Sequence, residues 1–151
     1  GYRFDLSKGF TQTNNPDNVG AWSSRDPSRI ALLKRMADVI WAAKPEAYVI
    51  LEHFADNSEE KELAEYGNGM MLWGNHTHDY GRLVEGDTTG NYQGVVASAR
   101  GWAKKGVVAY MESHDEERLM VKALGGGKSE GTYDIKQLEV ALDRVKLASA
   151  F

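Results

Sequence analysis

Apolar residues fall along this chain in two alternating patterns. Ala47-Tyr48-Val49-Ile50-Leu51, Gly69-Met70-Met71-Leu72-Trp73-Gly74 and Val107-Val108-Ala109-Tyr110-Met111 are continuous runs of strand length, as expected of parallel strands covered on both faces. A shorter apolar stretch within residues 1–9 reads as a strand before them, and residues 10–25 as a polar loop with a turn at Asn15-Pro16-Asp17. Between the runs the spacing becomes helical. Ile30, Leu33, Ala37, Ile40 and Trp41 share one face, which predicts an amphipathic helix over residues 27–44 with Trp41 in its core. Asp26 is its N-cap, Pro27 occupies the first turn and Pro45 ends it. A second helix is expected over residues 57–66, with Glu59-Glu60-Lys61-Glu62 as a solvated face. Residues 75–94 are polar and read as a loop, and a short helix is expected over 95–102. After the last run come a short helical stretch, a flexible loop at Gly125-Gly126-Gly127, and a closing helix over 133–151. Ile135, Leu138, Leu142, Val145 and Ala148 form the apolar face of that helix. The result is an α/β chain of about four βα units, with no repeat beyond that alternation.

The polar residues are distributed unevenly over these units. Three of the four strands end in ionisable clusters: Arg3 and Asp5 with Lys8, then Glu52-His53, then Glu112-Ser113-His114-Asp115-Glu116-Glu117-Arg118. A cluster at the carboxyl ends of parallel strands is where α/β sheets and barrels carry their sites. Arg3 and Asp5 are two apart on a strand and so share a face. A guanidinium there keeps the carboxylate ionised, which suits a nucleophile or a stabiliser of positive charge. From that stretch alone a structural ion pair is the more economical reading. Asp5, Glu52 and Asp115 place one carboxylate after the first, second and fourth strands. Two carboxylates about 5–5.5 Å apart across a glycosidic bond define a retaining glycosidase.

These stretches carry a resemblance to a known family. Gly1-Tyr2-Arg3-Phe4-Asp5-Leu6-Ser7-Lys8-Gly9 resembles the fourth-strand motif of the α-amylase family of glycoside hydrolases, and Ile50-Leu51-Glu52-His53-Phe54 resembles the fifth-strand segment. Met111-Glu112-Ser113-His114-Asp115-Glu116-Glu117-Arg118 resembles the seventh-strand motif, with Ser113 where the family usually has asparagine. The resemblance covers essentially the whole chain. It implies a single partial (β/α)8-type catalytic domain over residues 1–151, a half-barrel (incomplete TIM barrel) of strands four to seven. The first three strands and the eighth are absent, and with them the third-strand sugar and calcium ligands. It implies Asp5 as nucleophile, Glu52 as general acid/base and Asp115 as transition-state stabiliser. Arg3 is then the partner of Asp5, His114 a hydrogen-bond donor to the sugar, and Lys8 a contact on the leaving-group side. The substrate implied is an α-glucan polysaccharide or oligosaccharide with starch-type α-1,4 linkages, and the setting extracellular or periplasmic. No cofactor is required for the chemistry, and a structural calcium is compatible with it. Branching or another transglycosylation would use the same carboxylates. An open half-barrel would expose two strand edges, so self-association is expected. A non-catalytic fragment with residual sugar binding is the alternative.

Composition narrows the remaining classes. The 151 residues carry 18 Lys and Arg against 22 Asp and Glu, a net charge of −4, which gives no basic footprint for nucleic acid. There is no cysteine, which removes disulfides and thiol chemistry, and no apolar run long enough for a membrane span. The chain opens without methionine at a strand edge, which points to further sequence upstream. His76 and His78 with Asp79 would suit zinc if they alternated on a strand, although a surface loop is the simpler reading. Gly127-Lys128-Ser129 resembles the end of a P-loop but has Lys122 where the first glycine is required. Asn75-His76-Thr77 matches a glycosylation acceptor. Trp22, Trp73, Tyr80 and Trp102 are candidate sugar-stacking rings.

Overall fold

The structure, a computed structural model, describes residues 1–150. Strands β1 (Tyr2–Phe4), β2 (Val49–Leu51), β3 (Met71–Asn75) and β4 (Val107–Tyr110) form one sheet in sequence order. β1 pairs parallel with β2, and β2 with β3. The bonds from Leu72 N to Gly106 O and from His76 N to Tyr110 O advance together along β3 and β4, so that pair is parallel too. Six α-helices accompany the sheet among the described residues: α1 (Val19–Trp22), α2 (Pro27–Ala43), α3 (Asn57–Glu65), α4 (Thr77–Val84), α5 (Leu119–Gly126) and α6 (Leu138–Ala150). The chain divides into two compact units, Gly1–Gly74 with Val95–Val108, and Asn75–Gly94 with Ala109–Phe151.

In the first unit, α2 begins where the sequence places it. Asp26 accepts hydrogen bonds from the backbone of Ser28 and Arg29, and Pro27 occupies the first turn. Its face of Ile30, Leu33, Ala37 and Trp41 is buried in one cluster with Val49 and Leu51 of β2, Leu63 and Ala64 of α3, Met70, Leu72 and Trp102. The expected solvated run on α3 is corrected. Glu59 and Glu60 are buried, because each has an arginine waiting: Arg29 for Glu59 and Arg100 for Glu60. The helix expected over 95–102 is instead two 3-10 turns, Gln93–Val95 and Ala97–Arg100, and Trp102 after them is core rather than a sugar platform.

The second unit departs further from the sequence reading. The loop expected over 75–94 contains α4, which starts as Asn75 Oδ1 accepts from Thr77 N at 2.9 Å. Gly125 and Gly126 complete α5 instead of forming a loop. Gly127 then ends the helix at a close approach. A Cβ there would collide with Ala123 O and lie 2.5 Å from the Ile135 side chain. The closing helix starts late, since residues 129–134 form a hairpin of β5 (Ser129–Glu130) and β6 (Tyr133–Asp134). The apolar face expected at the C-terminal end is borne out at Ile135, Val145 and Ala148 but not at its two leucines. Ala141 and Ala148 join Val84, Leu119, Ala123 and Ile135 in the core, while Leu138 and Leu142 are 59% and 43% exposed. Small residues on α6 let it pack against both α4 and α5, and leucines there would hold the helices apart.

Candidate active site

The parallel register pairs Phe4 with Leu51, the last residues of β1 and β2. The residues that follow, Asp5 and Glu52, therefore emerge side by side. Backbone bonds fix the junction: Glu52 N donates to Phe4 O at 3.1 Å and Ser7 N donates to Glu52 O at 2.7 Å. Arg3 bridges the two carboxylates from below. One guanidinium nitrogen lies 2.9 Å from Asp5 Oδ1 and 2.5 Å from Glu52 Oε2. The same guanidinium stacks 4.2 Å over the Trp73 ring, which thereby serves Arg3. Leu6 N completes the grip, 3.4 Å from Glu52 Oε2.

The two carboxyls occupy unlike surroundings. Asp5 is 67% exposed at its side chain and Glu52 only 7%. Burial pushes the Glu52 carboxyl above its ordinary range, and a hydrogen bond with Asp5 pushes the same way. Leu6 N–H and the Arg3 charge pull against that without reversing it. The pair therefore has one member biased toward the protonated form and one exposed beside an arginine. The backbone is also strained there. Leu6 has φ of 41° and Phe54 φ of 51°, left-handed conformations that cost a non-glycine residue about 1 kcal/mol or more. Both immediately follow the β1 and β2 clusters, and such strain concentrates at functional sites.

Lys8 lies in the 3-10 turn Ser7–Phe10, with its Nζ 3.2 Å from Ser23 Oγ. Beneath it runs a buried chain of side chains that sequence reasoning missed. Ser7 Oγ lies 2.8 Å from His53 Nδ1, and His53 Nε2 lies 2.8 Å from Glu59 Oε1. Arg29 holds both oxygens of Glu59, Nε at 2.6 Å and a terminal nitrogen at 2.7 Å. Its remaining donors reach the carbonyls of Lys8, Trp22 and Ser24. All four side chains are fully buried. Arg29 sits four residues before Leu33 on the buried stripe of α2, and that misplaced charge was the available signal.

His114 and Asp115 belong to the second unit, in the turn after β4. His114 Nε2 lies 3.6 Å from Asp115 Oδ1, and Asp115 is 70% exposed. Around them Glu112 Oε1 accepts from Leu119 N at 2.7 Å, and Arg118 donates to Ser113 O at 2.8 Å. The zinc reading of His76 and His78 fails on local structure. His76 is buried at the start of α4, 3.4 Å from Asp79, and His78 is exposed on the helix, so the two do not alternate on a strand. Tyr80 packs edge-on against Tyr92 and joins the second core. Trp22 donates its indole N–H to Asn15 O at 2.8 Å. No helix among the described residues is long and apolar enough to cross a membrane.

No protein-family model matches this chain, and no curated protein matches it significantly.

Proposed function

We propose that this chain carries the catalytic strands of a retaining α-glucan hydrolase of the α-amylase type, with its four strands forming part of a (β/α)8 barrel. The observation that supports this most directly is the pair Asp5 and Glu52 under one guanidinium, with the Glu52 carboxyl pushed up by burial. Asp5, exposed and held by Arg3, attacks the anomeric carbon, and Glu52 protonates the leaving oxygen. Glu52, then ionised, takes a proton from the water that cleaves the glycosyl-enzyme. Carboxylate oxygens of Asp5 and Glu52 lie within 4.8 Å of each other, against the about 5–5.5 Å of a working retaining pair. Arg3 contacts both carboxylates and holds them together. The roles of Asp115 as stabiliser, His114 as sugar donor and Lys8 as leaving-group contact rest on the sequence resemblance. For Lys8, reaching substrate requires release of Ser23. Transfer to a second sugar would use the same carboxylates.

Self-association belongs to the same proposal. β1 lies at the edge of the sheet, and Tyr2, Phe4, Met36, Val39 and Ile40 beside it line an apolar groove of about 580 Å³. Light scattering at micromolar concentration tests this, and a strictly monomeric species refutes it. Reducing-sugar release from soluble starch tests the chemistry. The parent protein should release sugar and Glu52→Gln should not, whereas equal rates in the two would refute the assignment.

A further inference from the structure

We propose that Ser7 and His53 are positioning residues for Glu52, acting from a buried chain that ends on Arg29, an inference that builds on the hydrolase reading above. The hydrogen bonds carry the case. Glu52 O accepts two bonds from a single residue, Ser7 N at 2.7 Å and Ser7 Oγ at 3.0 Å. The residue before it, Leu6, donates its N–H to the Glu52 carboxylate and is held in a left-handed conformation. The residue before that is Asp5. One short turn therefore carries the proposed nucleophile and three of the donors to the proposed acid/base.

What fixes that turn is the Ser7 side chain, and behind it His53. Glu59 is an acceptor only, since Arg29 donates to both its oxygens. His53 Nε2 must therefore carry the proton shared with Glu59, which fixes the ring and points Nδ1 at Ser7. Glu60 of α3, whose carboxyl burial pushes above its ordinary range, lies within electrostatic reach of the imidazole and is held by Arg100. Ser7 has one hydroxyl proton and two places to send it, Glu52 O or His53 Nδ1. The hydroxyl lies 3.0 Å from Glu52 O and 2.8 Å from His53 Nδ1, so the fixed imidazole holds Ser7 where it meets the Glu52 carbonyl. The arrangement resembles a Ser-His-carboxylate triad, but with every member fully buried it has no access to a substrate. At its Ser7 end it reaches the Glu52 peptide.

The test uses protein labelled with carbon-13 at the glutamate side-chain carboxyls, with Ser7→Ala as the mild variant and His53→Gln as the stronger one. The Glu52 titration midpoint is expected to move by about half a pH unit or more in both, since the turn carries both Asp5 and the Leu6 donor, while that of Glu62 stays where it is. In parallel, kcat/KM is measured on starch, which needs a proton donor, and on α-maltosyl fluoride, whose leaving group does not. The variants should lose about tenfold more on starch than on the fluoride. An unmoved Glu52 midpoint in folded Ser7→Ala overturns the proposal, as does equal loss on both substrates. If His53→Gln fails to fold, Ser7→Ala decides alone. A moved midpoint with no sugar released by the parent protein upholds the positioning role and refutes the hydrolase reading.

Discussion

Two polar strand ends were equally visible in the sequence, and the structure treats them differently. After β1 and β2, Arg3, Asp5 and Glu52 stand on a buried scaffold in which Ser7, His53, Glu59 and Arg29 satisfy one another. After β4, His114 and Asp115 sit in an exposed turn, with Asp115 N bonded to Ser113 Oγ and Arg118 to Ser113 O. Pre-organisation requires that a side chain's neighbours be fixed before the substrate arrives. The first cluster meets that requirement in the structure as described. For the second, the resemblance is the support.

The sharpest way to break this contrast is by catalysis. Asp5→Asn and Glu52→Gln should each reduce starch hydrolysis by about 10³-fold or more, measured as initial rates of reducing-sugar release. Asp115→Asn should do the same if the exposed turn serves the same chemistry. Unchanged activity in Asp115→Asn would leave the first cluster standing and remove the second from the site.

Stability should divide the two regions in the same direction. Arg29→Ala leaves Glu59 buried without its main counter-charge and should cost about 3–5 kcal/mol in chemical denaturation. Asp115→Ala, at an exposed position, should change stability by no more than about 0.5 kcal/mol. Equal effects would mean that the buried chain is not the structural base of the site.

The dependence on pH follows from two glutamates shifted in opposite directions. At Glu59 burial acts to raise the pKa, but hydrogen bonds from His53 and Arg29 prevail and lower it. Its contribution to stability is thus present above the ordinary glutamate value and lost as pH falls through its lower folded value. Glu52 is raised, so its folded form holds a proton to higher pH than the unfolded chain does. Its ionisation costs stability as pH rises through the folded value, and the acid form needed for glycosidic cleavage is lost over the same interval. Activity should fall on the alkaline side at a midpoint above the ordinary glutamate value. Thermal unfolding across acidic pH should show Glu59→Gln with a weaker acid dependence than the parent.

How much of this was legible depends on whether the signal was local. Asp26-Pro27 and the stripe from Ile30 to Trp41 specify α2 within one stretch of sequence, and the structure has that helix nearly to the residue. The carboxylates at the β1 and β2 ends were legible as well, because a strand end followed by ionisable groups is itself local. Glu59 and Glu60 were not. A run of glutamates reads as solvated unless its partners are known, and Arg29 and Arg100 lie far away in the chain. The second unit was misread for a related reason. Leucines on α6 promised a buried face, but α4 and α5 approach on the alanine side, and that choice belongs to tertiary packing. Three consecutive glycines suggested a loop because propensity cannot report that Ile135 and Glu85 crowd Gly127 and Gly126.

The smallest effect concerns how each unit begins its helices. In the first unit, Asp26 and Asp56 cap α2 and α3 with side-chain oxygens. In the second, His76 and Arg118 at the corresponding positions make no such bond, and Glu112 reaches Leu119 N from seven residues away. Asp26→Ala should therefore cost about 1 kcal/mol. Asp26→Asn, which keeps the acceptor, should recover most of it. Arg118→Ala should have a smaller effect than Asp26→Ala, since it removes no cap and Glu112 still holds the first turn of α5. Urea denaturation of the three variants gives the order, and a larger loss for Arg118→Ala would show that α5 depends on the Arg118 contacts to Ser113 and Glu112 rather than on its capped amide.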